Sequence, residues 1–256
     1  MTAPHPPMTL WRLERLRLVR TRRLVGLAAV YLFFGATSPP LARYLPQIIE
    51  HTGGTSVTIV APPAQPLDGI GGYGSNAAQI GLLAFTFVVA ASLAFDSQRE
   101  MAVFLRTRTP RYRDLLIPRY VTSVGAGIAC FSFGALVAWA GTAGWIGGLD
   151  AAGVVAGIGC GAAYLAFVGA VAAAWAARLS STVATAVATL AVALALGLVG
   201  AVGRPGEWLP SDLLGALGPL AVGGDPADHV RALGVTVAAT AGLLALAVRW
   251  GARREV

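Results

Sequence analysis

Six long apolar segments dominate this sequence of 256 residues. A helix needs about 20 mostly apolar residues to cross the hydrocarbon core of a bilayer, which is about 30 Å thick. Segments that meet this requirement lie at about 24–45, 77–95, 115–141, 151–177, 182–202 and 232–248. They lack the alternating pattern of a transmembrane β-barrel. The sequence therefore predicts an all-α membrane protein with six transmembrane helices in a single transmembrane domain, residues 1–256.

The composition supports lipid as the solvent of these segments. Hydrophobic residues make up 56% of the chain and charged residues only 12%, with a mean hydropathy of +0.68. Soluble domains are typically about 25% charged. A soluble chain of this length could not bury so much apolar surface inside one core.

The arginines predict the orientation. All nineteen basic residues are Arg, and sixteen of them fall in the N-terminal segment, the second-to-third link, the fourth-to-fifth link and the C-terminus. Only Arg43, Arg204 and Arg231 fall on the opposite side. By the positive-inside rule, both termini are expected to be cytoplasmic. Seven of the twelve acidic residues belong to the other side, so topology explains the net charge of +7 without nucleic-acid binding.

The Arg-only usage, rich in Ala and Gly, is typical of a GC-rich bacterial genome. We therefore expect a multi-pass protein of the bacterial inner membrane.

Catalytic and metal chemistry finds little support in the sequence. His5, His51 and His229 lie in tails or outer connections, which disfavours haem ligation and a Ser-His dyad. Cys130 and Cys160 lie inside apolar segments without a second pair of metal ligands, and we expect them to be buried. No catalytic, metal or cofactor site is expected in this chain.

The energy source for any transport is expected to be another polypeptide. A phosphate-binding P-loop requires a Lys, and this chain has none. No charged residue lies in the middle of a predicted span, whereas ion-coupled carriers usually place one there. Arg43 and Arg119 lie near span ends, where their side chains can reach the membrane surface. ATP and Mg²⁺, if used, would be bound by a partner.

Two basic segments are predicted to form short helices outside the spans. Residues 9–23 combine Trp11 with six Arg, a composition typical of an interfacial helix. In the link after the second span, Met101, Phe104 and Leu105 recur at helical spacing before Pro110. Such an Arg-rich amphipathic helix would lie either on anionic lipid or in the groove of a partner.

The outer connections are unequal in length. Residues 46–76 contain Pro62-Pro63 and the Gly-rich stretch 69–74, and are predicted to be a flexible external loop. Pro39-Pro40 is expected to interrupt the first span. In residues 203–230, Ser211 or Asp212 is predicted to cap a short helix, which would either dip into the interface or pack on the span ends.

The fourth span carries small residues at four-residue spacing: Gly153, Gly157 and Gly161. Small residues on one face allow helices to approach closely. Packing within the bundle is the favoured interpretation, and a dimer interface is the alternative.

Taken together, these segments resemble the permease subunits of the type-two class of ATP-binding-cassette exporters. The similarity is carried by the Arg-rich residues 11–23, the span end Leu41-Ala42-Arg43-Tyr44-Leu45-Pro46, and the link from Asp96-Ser97-Gln98-Arg99-Glu100 to Arg108-Thr109-Pro110. Family members often have Glu-x-Gly-Thr where this chain has Glu100-Met101-Ala102-Val103.

The resemblance implies two partners, a separate ATPase subunit and a second permease subunit. The uncharged bundle, rich in Ala, Gly and Val, suits an amphipathic or hydrophobic substrate. The resemblance makes the Arg12–Arg23 segment the elbow helix at the inner surface and the link a coupling helix that docks on the ATPase. The contact residues would be Arg99, Glu100, Met101, Phe104, Leu105, Arg106 and Arg108. The alternatives are a membrane-embedded lipid-modifying enzyme and a non-transporting anchor or assembly subunit.

Overall fold

The computed structural model describes residues 10–52, 62–94, 112–200 and 207–253. In chain order the helices are α1 (Leu10–Arg20), α2 (Arg23–Thr52), α3 (Pro66–Asn76), a π-helical turn (Ala77–Gly81), α4 (Leu82–Leu93), α5 (Tyr112–Trp145), α6 (Ala151–Ala176), α7 (Thr182–Gly200), α8 (Asp212–Gly215), α9 (Leu217–Ala221), a 3-10 turn (Pro226–His229) and α10 (Val230–Ala252).

Six helical segments in these ranges are long and apolar enough to cross a membrane. The spans are α2, the continuous α3–π–α4 segment, α5, α6, α7 and α10. The prediction of six such helices in a multi-pass membrane protein is confirmed.

The two ends of the bundle differ in what they carry. At one end, α1 packs on the beginning of α5, and the guanidinium of Arg178 lies 3.9 Å above the ring of Trp250 near the end of α10. At the other end, the Asp150 N–H donates to the Ala221 carbonyl at 2.9 Å. We call these the α1 end and the α9 end. Helix α1 and the end of α10 therefore lie at the same end of the bundle.

The second span begins earlier than the sequence indicated. Pro66 occupies the first turn of α3, and the Gln65 N–H donates to Asp68 Oδ2 at 2.8 Å, which satisfies a helix-start donor. Ile70 and Tyr73 are fully buried. The prediction of a flexible loop is wrong for residues 66–76, because tertiary burial of these two side chains outweighs the low helix propensity of the glycines around them.

Helix α2 is also longer than expected, since it continues through Pro39, Pro40 and Pro46. The predicted interruption at Pro39-Pro40 is wrong. The Pro39 ring packs on Gly141 of α5, where an added Cβ would lie 3.0 Å from Pro39 Cγ. Neighbouring helices of this kind allow proline to persist inside transmembrane helices.

The centre of the bundle is the crossing of α2 and α5. Their backbones touch at Gly35 and Gly134, where an added Cβ on Gly35 would overlap the Gly134 carbonyl. Beside this contact, the rings of Tyr31 and Phe131 meet edge to face at 5.8 Å between centroids. Tyr73 of α3 stacks on Phe131, and its hydroxyl donates to the Phe131 carbonyl at 2.6 Å. This aromatic group joins the first three spans.

The connection after α7 packs on the spans. Leu213 of α8 and Leu217 of α9 are buried, and both short helices contact α6. Ser211 stands at the start of α8 but makes no capping bond, because its hydroxyl donates to the Leu196 carbonyl of α7 at 3.1 Å. Of the two arrangements left open by the sequence, packing on the span ends is therefore the observed one for these leucines.

Candidate functional site

The predicted coupling segment falls outside the described residues, which resume at Tyr112 after residue 94. This applies to all seven predicted contact residues: Arg99, Glu100, Met101, Phe104, Leu105, Arg106 and Arg108. Their role stays a prediction.

The glycine stripe of α6 is occupied by other parts of the same chain. An added Cβ on Gly153 would overlap the Leu220 carbonyl, and one on Gly157 would lie 2.7 Å from Leu217 Cα. At Gly161 it would lie 2.5 Å from Cζ of Phe131. The stripe thus allows α9 and α5 to sit directly against α6. Gly159 lies between Gly157 and Gly161 in sequence, but an added Cβ there would have no neighbour within 4 Å.

A buried ion pair fixes α1 to the third span. Nε of Arg119 in α5 donates to Oε1 of Glu14 in α1 at 2.8 Å, and the two side chains are only 3% and 10% exposed. A charge-assisted hydrogen bond in such a setting holds its partners in one geometry. The expectation that Arg119 extends to the membrane surface is wrong, because Glu14 offers a carboxylate inside the protein. The signal in the sequence was that Glu14 is the sole acid among the first 49 residues.

A cavity of about 890 Å³ opens between α4, α6, α7 and α8. It reaches from the α9 end of the bundle to Tyr164 and Leu190, near the midpoints of α6 and α7. Its lining is mostly apolar. The residues are Ala78, Gln79, Leu82, Leu83, Tyr164, Leu190, Ala193, Leu194, Gly197, Leu198, Gly200, Glu207, Ser211, Asp212 and Leu214.

The π-helical turn Ala77–Gly81 forms part of the cavity wall. π-Turns occur mostly as single insertions in α-helices, often at functional sites. Here the turn contains Gln79, whose exposed side chain lines the cavity within a membrane-spanning segment. An amide in that position seeks a hydrogen-bonding partner, because leaving it unpaired in an apolar setting is costly.

The other polar lining residues lie on the connection that covers the α9 end of the cavity. They are Glu207, Ser211 and Asp212. Asp212 Oδ2 accepts a hydrogen bond from Nδ1 of His229 at 2.6 Å, so its carboxylate is held in place. Glu207 is exposed. The cavity thus has an apolar wall toward the middle of the bundle and two carboxylates at its mouth, which we call the acidic mouth.

A smaller cavity of about 540 Å³ lies between α2 and α3, also toward the α9 end. Its polar lining residues are Ser38, Asp68, Ser75 and Asn76. The carboxylate of Asp68 is already engaged in the start of α3, where it accepts the Gln65 N–H. It is therefore the less favourable of the two for a solute.

Among the described residues, no group of three or more His, Cys, Asp or Glu side chains is placed to hold a metal ion. Of the two cysteines, Cys130 is buried, as expected, and Cys160 is partly buried. No protein-family model, curated protein or solved structure matches this chain.

Proposed function

We propose that this chain is the permease subunit of an ATP-binding-cassette exporter, and that it forms a translocation route for an amphipathic or hydrophobic substrate. The chain itself would be non-catalytic. A separate ATPase subunit would bind ATP and Mg²⁺ and supply the energy, and a second permease subunit, identical or different, would complete the route in the bacterial inner membrane.

The observation that carries the proposal is the cavity with the acidic mouth. A non-transporting anchor has no need of a large opening between its membrane helices with polar groups at one end. Sites for small molecules typically have this composition, a mainly apolar wall with few polar groups. The cavity therefore favours a chain that handles a solute.

An enzymatic role has less support. Such a role needs polar catalytic groups near the membrane surface, and the cytoplasmic carboxylates near span ends are Asp96, Glu100 and Asp114. Of these, Asp114 is the described one, and its exposed carboxylate faces the neighbouring Arg113 at 3.4 Å. An exposed carboxylate of this kind lacks the enclosed environment that tunes catalytic acids and bases.

The amino-acid composition places the energy source of this transport in another polypeptide. Without any Lys the chain cannot build a P-loop. ATP binding in the partner would favour one arrangement of the bundle over another, which is a population shift driven by the nucleotide. The proposed route for that signal is the link at 96–110, with Glu100 as its polar anchor.

In this proposal α1 is the elbow helix at the cytoplasmic surface. Trp11, Leu13 and Leu16 of this helix are exposed, which suits the boundary between headgroups and acyl chains. The Glu14–Arg119 pair would make α1 move with the third span.

The direct test is co-purification with an ATPase. The tagged chain is expressed in its own organism, extracted in a mild detergent and purified. Bound proteins are identified by mass spectrometry, and ATP hydrolysis by the complex is measured. We expect a stoichiometric ATPase subunit and vesicle transport that depends on ATP.

The matched control uses charge reversal at opposite ends of the bundle. Glu100→Arg should release the ATPase, whereas Glu207→Arg at the α9 end should retain it. Recovery of the wild-type chain without any ATPase, or with substrate turnover by the chain alone, contradicts the proposal.

A further inference from the structure

The volume and the lining of the cavity between α4, α6, α7 and α8 also indicate which class of ligand it binds. Its volume of about 890 Å³ falls within the range of roughly 300–1,000 Å³ that is typical of small-molecule sites. Leu83 of α4 and Leu190 and Leu194 of α7 supply apolar surface. A ligand that fills the cavity must therefore bring a substantial apolar part.

The acidic mouth favours a ligand that carries positive charge. Among the described lining residues, Glu207 and Asp212 are the charged ones, and neither Arg nor His is found in that set. Asp212 already accepts a hydrogen bond from His229, and the Arg231 guanidinium lies 5.4 Å from the Trp208 ring. One carboxylate thus has a partner on its outer side, and Glu207 remains exposed toward solvent.

The π-helical turn supplies a second, independent indication of a ligand. It interrupts the regular hydrogen bonding of the second span where Gln79 meets the cavity. The Gln79 amide offers a carbonyl acceptor as well as two donors. It lines the same cavity as the two carboxylates, although it comes from a different span.

We propose that this cavity binds an amphipathic cation, with its positive head at Glu207 and Asp212 and its apolar part along α4 and α7. An anion would be repelled by the mouth. A neutral amphiphile would cover the carboxylates without pairing them, which costs desolvation free energy. A metal ion would leave the apolar wall unused.

This inference deepens the proposed function, because it names the class of substrate that the exporter would carry. Binding to the cavity can nevertheless be measured on the purified chain without an ATPase. The two proposals can therefore fail separately. If the chain binds the cation but recruits no ATPase, the binding site is supported and the export function is contradicted. If it recruits an ATPase but does not bind the cation, the export function is supported and the binding site is contradicted.

The experiment measures binding of rhodamine 6G, a fluorescent apolar cation, to the purified chain in detergent by fluorescence polarisation. The comparison probe is the neutral, closed rhodamine lactam, which is not fluorescent, so its binding is measured by its displacement of the bound cation. We expect saturable binding of the cation and binding of the neutral probe that is weaker by about tenfold or more, as expected for the loss of a charge-assisted contact. Equal binding of the two probes would overturn the proposal.

Two pairs of variants locate the site. The double variant Glu207→Gln with Asp212→Asn should weaken cation binding by about tenfold or more, and Asp228→Asn, an exposed acid that does not line the cavity, should leave it unchanged. Gly197→Leu should block the cavity. Its matched control is Gly159→Leu on α6, because neither glycine has a neighbour within 4 Å of an added Cβ and only Gly197 lines the cavity.

Size-exclusion profiles establish that each variant is folded. One variant removes charge and the other fills space, so the test does not depend on a single kind of substitution. Wild-type binding by both the double variant and Gly197→Leu would overturn the proposal. So would an equal loss of binding in Asp228→Asn, since that result would assign the effect to surface charge in general.

Discussion

Glu14 and Arg119 are separated by 105 positions in the sequence, yet their side chains meet at 2.8 Å in a nearly closed environment. The pair joins a helix outside the spans to the third span. Removing one partner of a buried ion pair leaves an uncompensated charge, which typically costs about 3–5 kcal/mol.

We therefore expect Glu14→Ala to lower the free energy of unfolding by about 3 kcal/mol, measured by SDS-induced unfolding in mixed micelles. The control is Asp114→Ala, since its pair with Arg113 is 57% and 46% exposed and should contribute less than about 1 kcal/mol. Equal stability of Glu14→Ala and the wild type would show that the pair contributes nothing. The exchange Glu14→Arg with Arg119→Glu should recover part of the loss.

The same substitution, Tyr to Phe, is expected to change the free energy of unfolding differently at the two central tyrosines. Tyr73→Phe removes a buried hydroxyl that donates to the Phe131 carbonyl, and should destabilise the chain by about 1 kcal/mol. Tyr31 is just as buried, but its hydroxyl has no hydrogen-bond partner among the described residues. Tyr31→Phe should therefore be neutral or stabilising. The same unfolding assay compares them, and a larger loss for Tyr31→Phe would contradict the described hydrogen bonding.

Helix α2 contains a matched pair of glycines. Gly35→Ala would drive a methyl group into the Gly134 carbonyl, and overpacking of this kind typically costs about 1–3 kcal/mol. Gly26→Ala meets nothing within 4 Å and should be neutral or stabilise the helix by up to about 1 kcal/mol. If both substitutions had the same effect on unfolding, the close approach of α2 and α5 would be wrong.

The proposed orientation is tested by cysteine labelling. In a background without Cys130 and Cys160, a membrane-impermeant maleimide should label Asp228→Cys in intact spheroplasts. It should label Asp114→Cys only after permeabilisation. Both positions are exposed, and they lie at opposite ends of the bundle, so accessibility in the folded protein is matched. The reverse labelling pattern would place the Arg-rich connections outside and contradict the positive-inside assignment.

The spans were predictable because their signal is local. A run of about 20 apolar residues is sufficient to identify a transmembrane helix, whatever it packs against. The predicted fourth span, 151–177, differs by one residue from Ala151–Ala176. The beginning of the second span was missed because its helix depends on burying Ile70 and Tyr73, which only the tertiary structure supplies.

The cavity was not predictable by the same reasoning. Gln79, Tyr164, Leu194 and Asp212 come from four different segments of the chain, and no spacing rule joins them. The π-helical turn has no sequence signature here, since Ala77-Ala78-Gln79-Ile80-Gly81 is compatible with an ordinary α-helix. Glu207 was recognised only as part of the outward acidic bias, and Asp212 was recognised in addition only as a candidate helix cap.

The backbone contact of Gly35 with Gly134 limits which helices can rearrange. A side chain added at this crossing would force α2 and α5 apart, and the Glu14–Arg119 pair joins α1 to α5. Of the three spans that line the cavity, α7 is the least enclosed: 22% of its apolar window is buried, against 50% for the segment that contains α4 and 56% for α6. We therefore expect any widening of the cavity to displace α7 rather than α4 or α6.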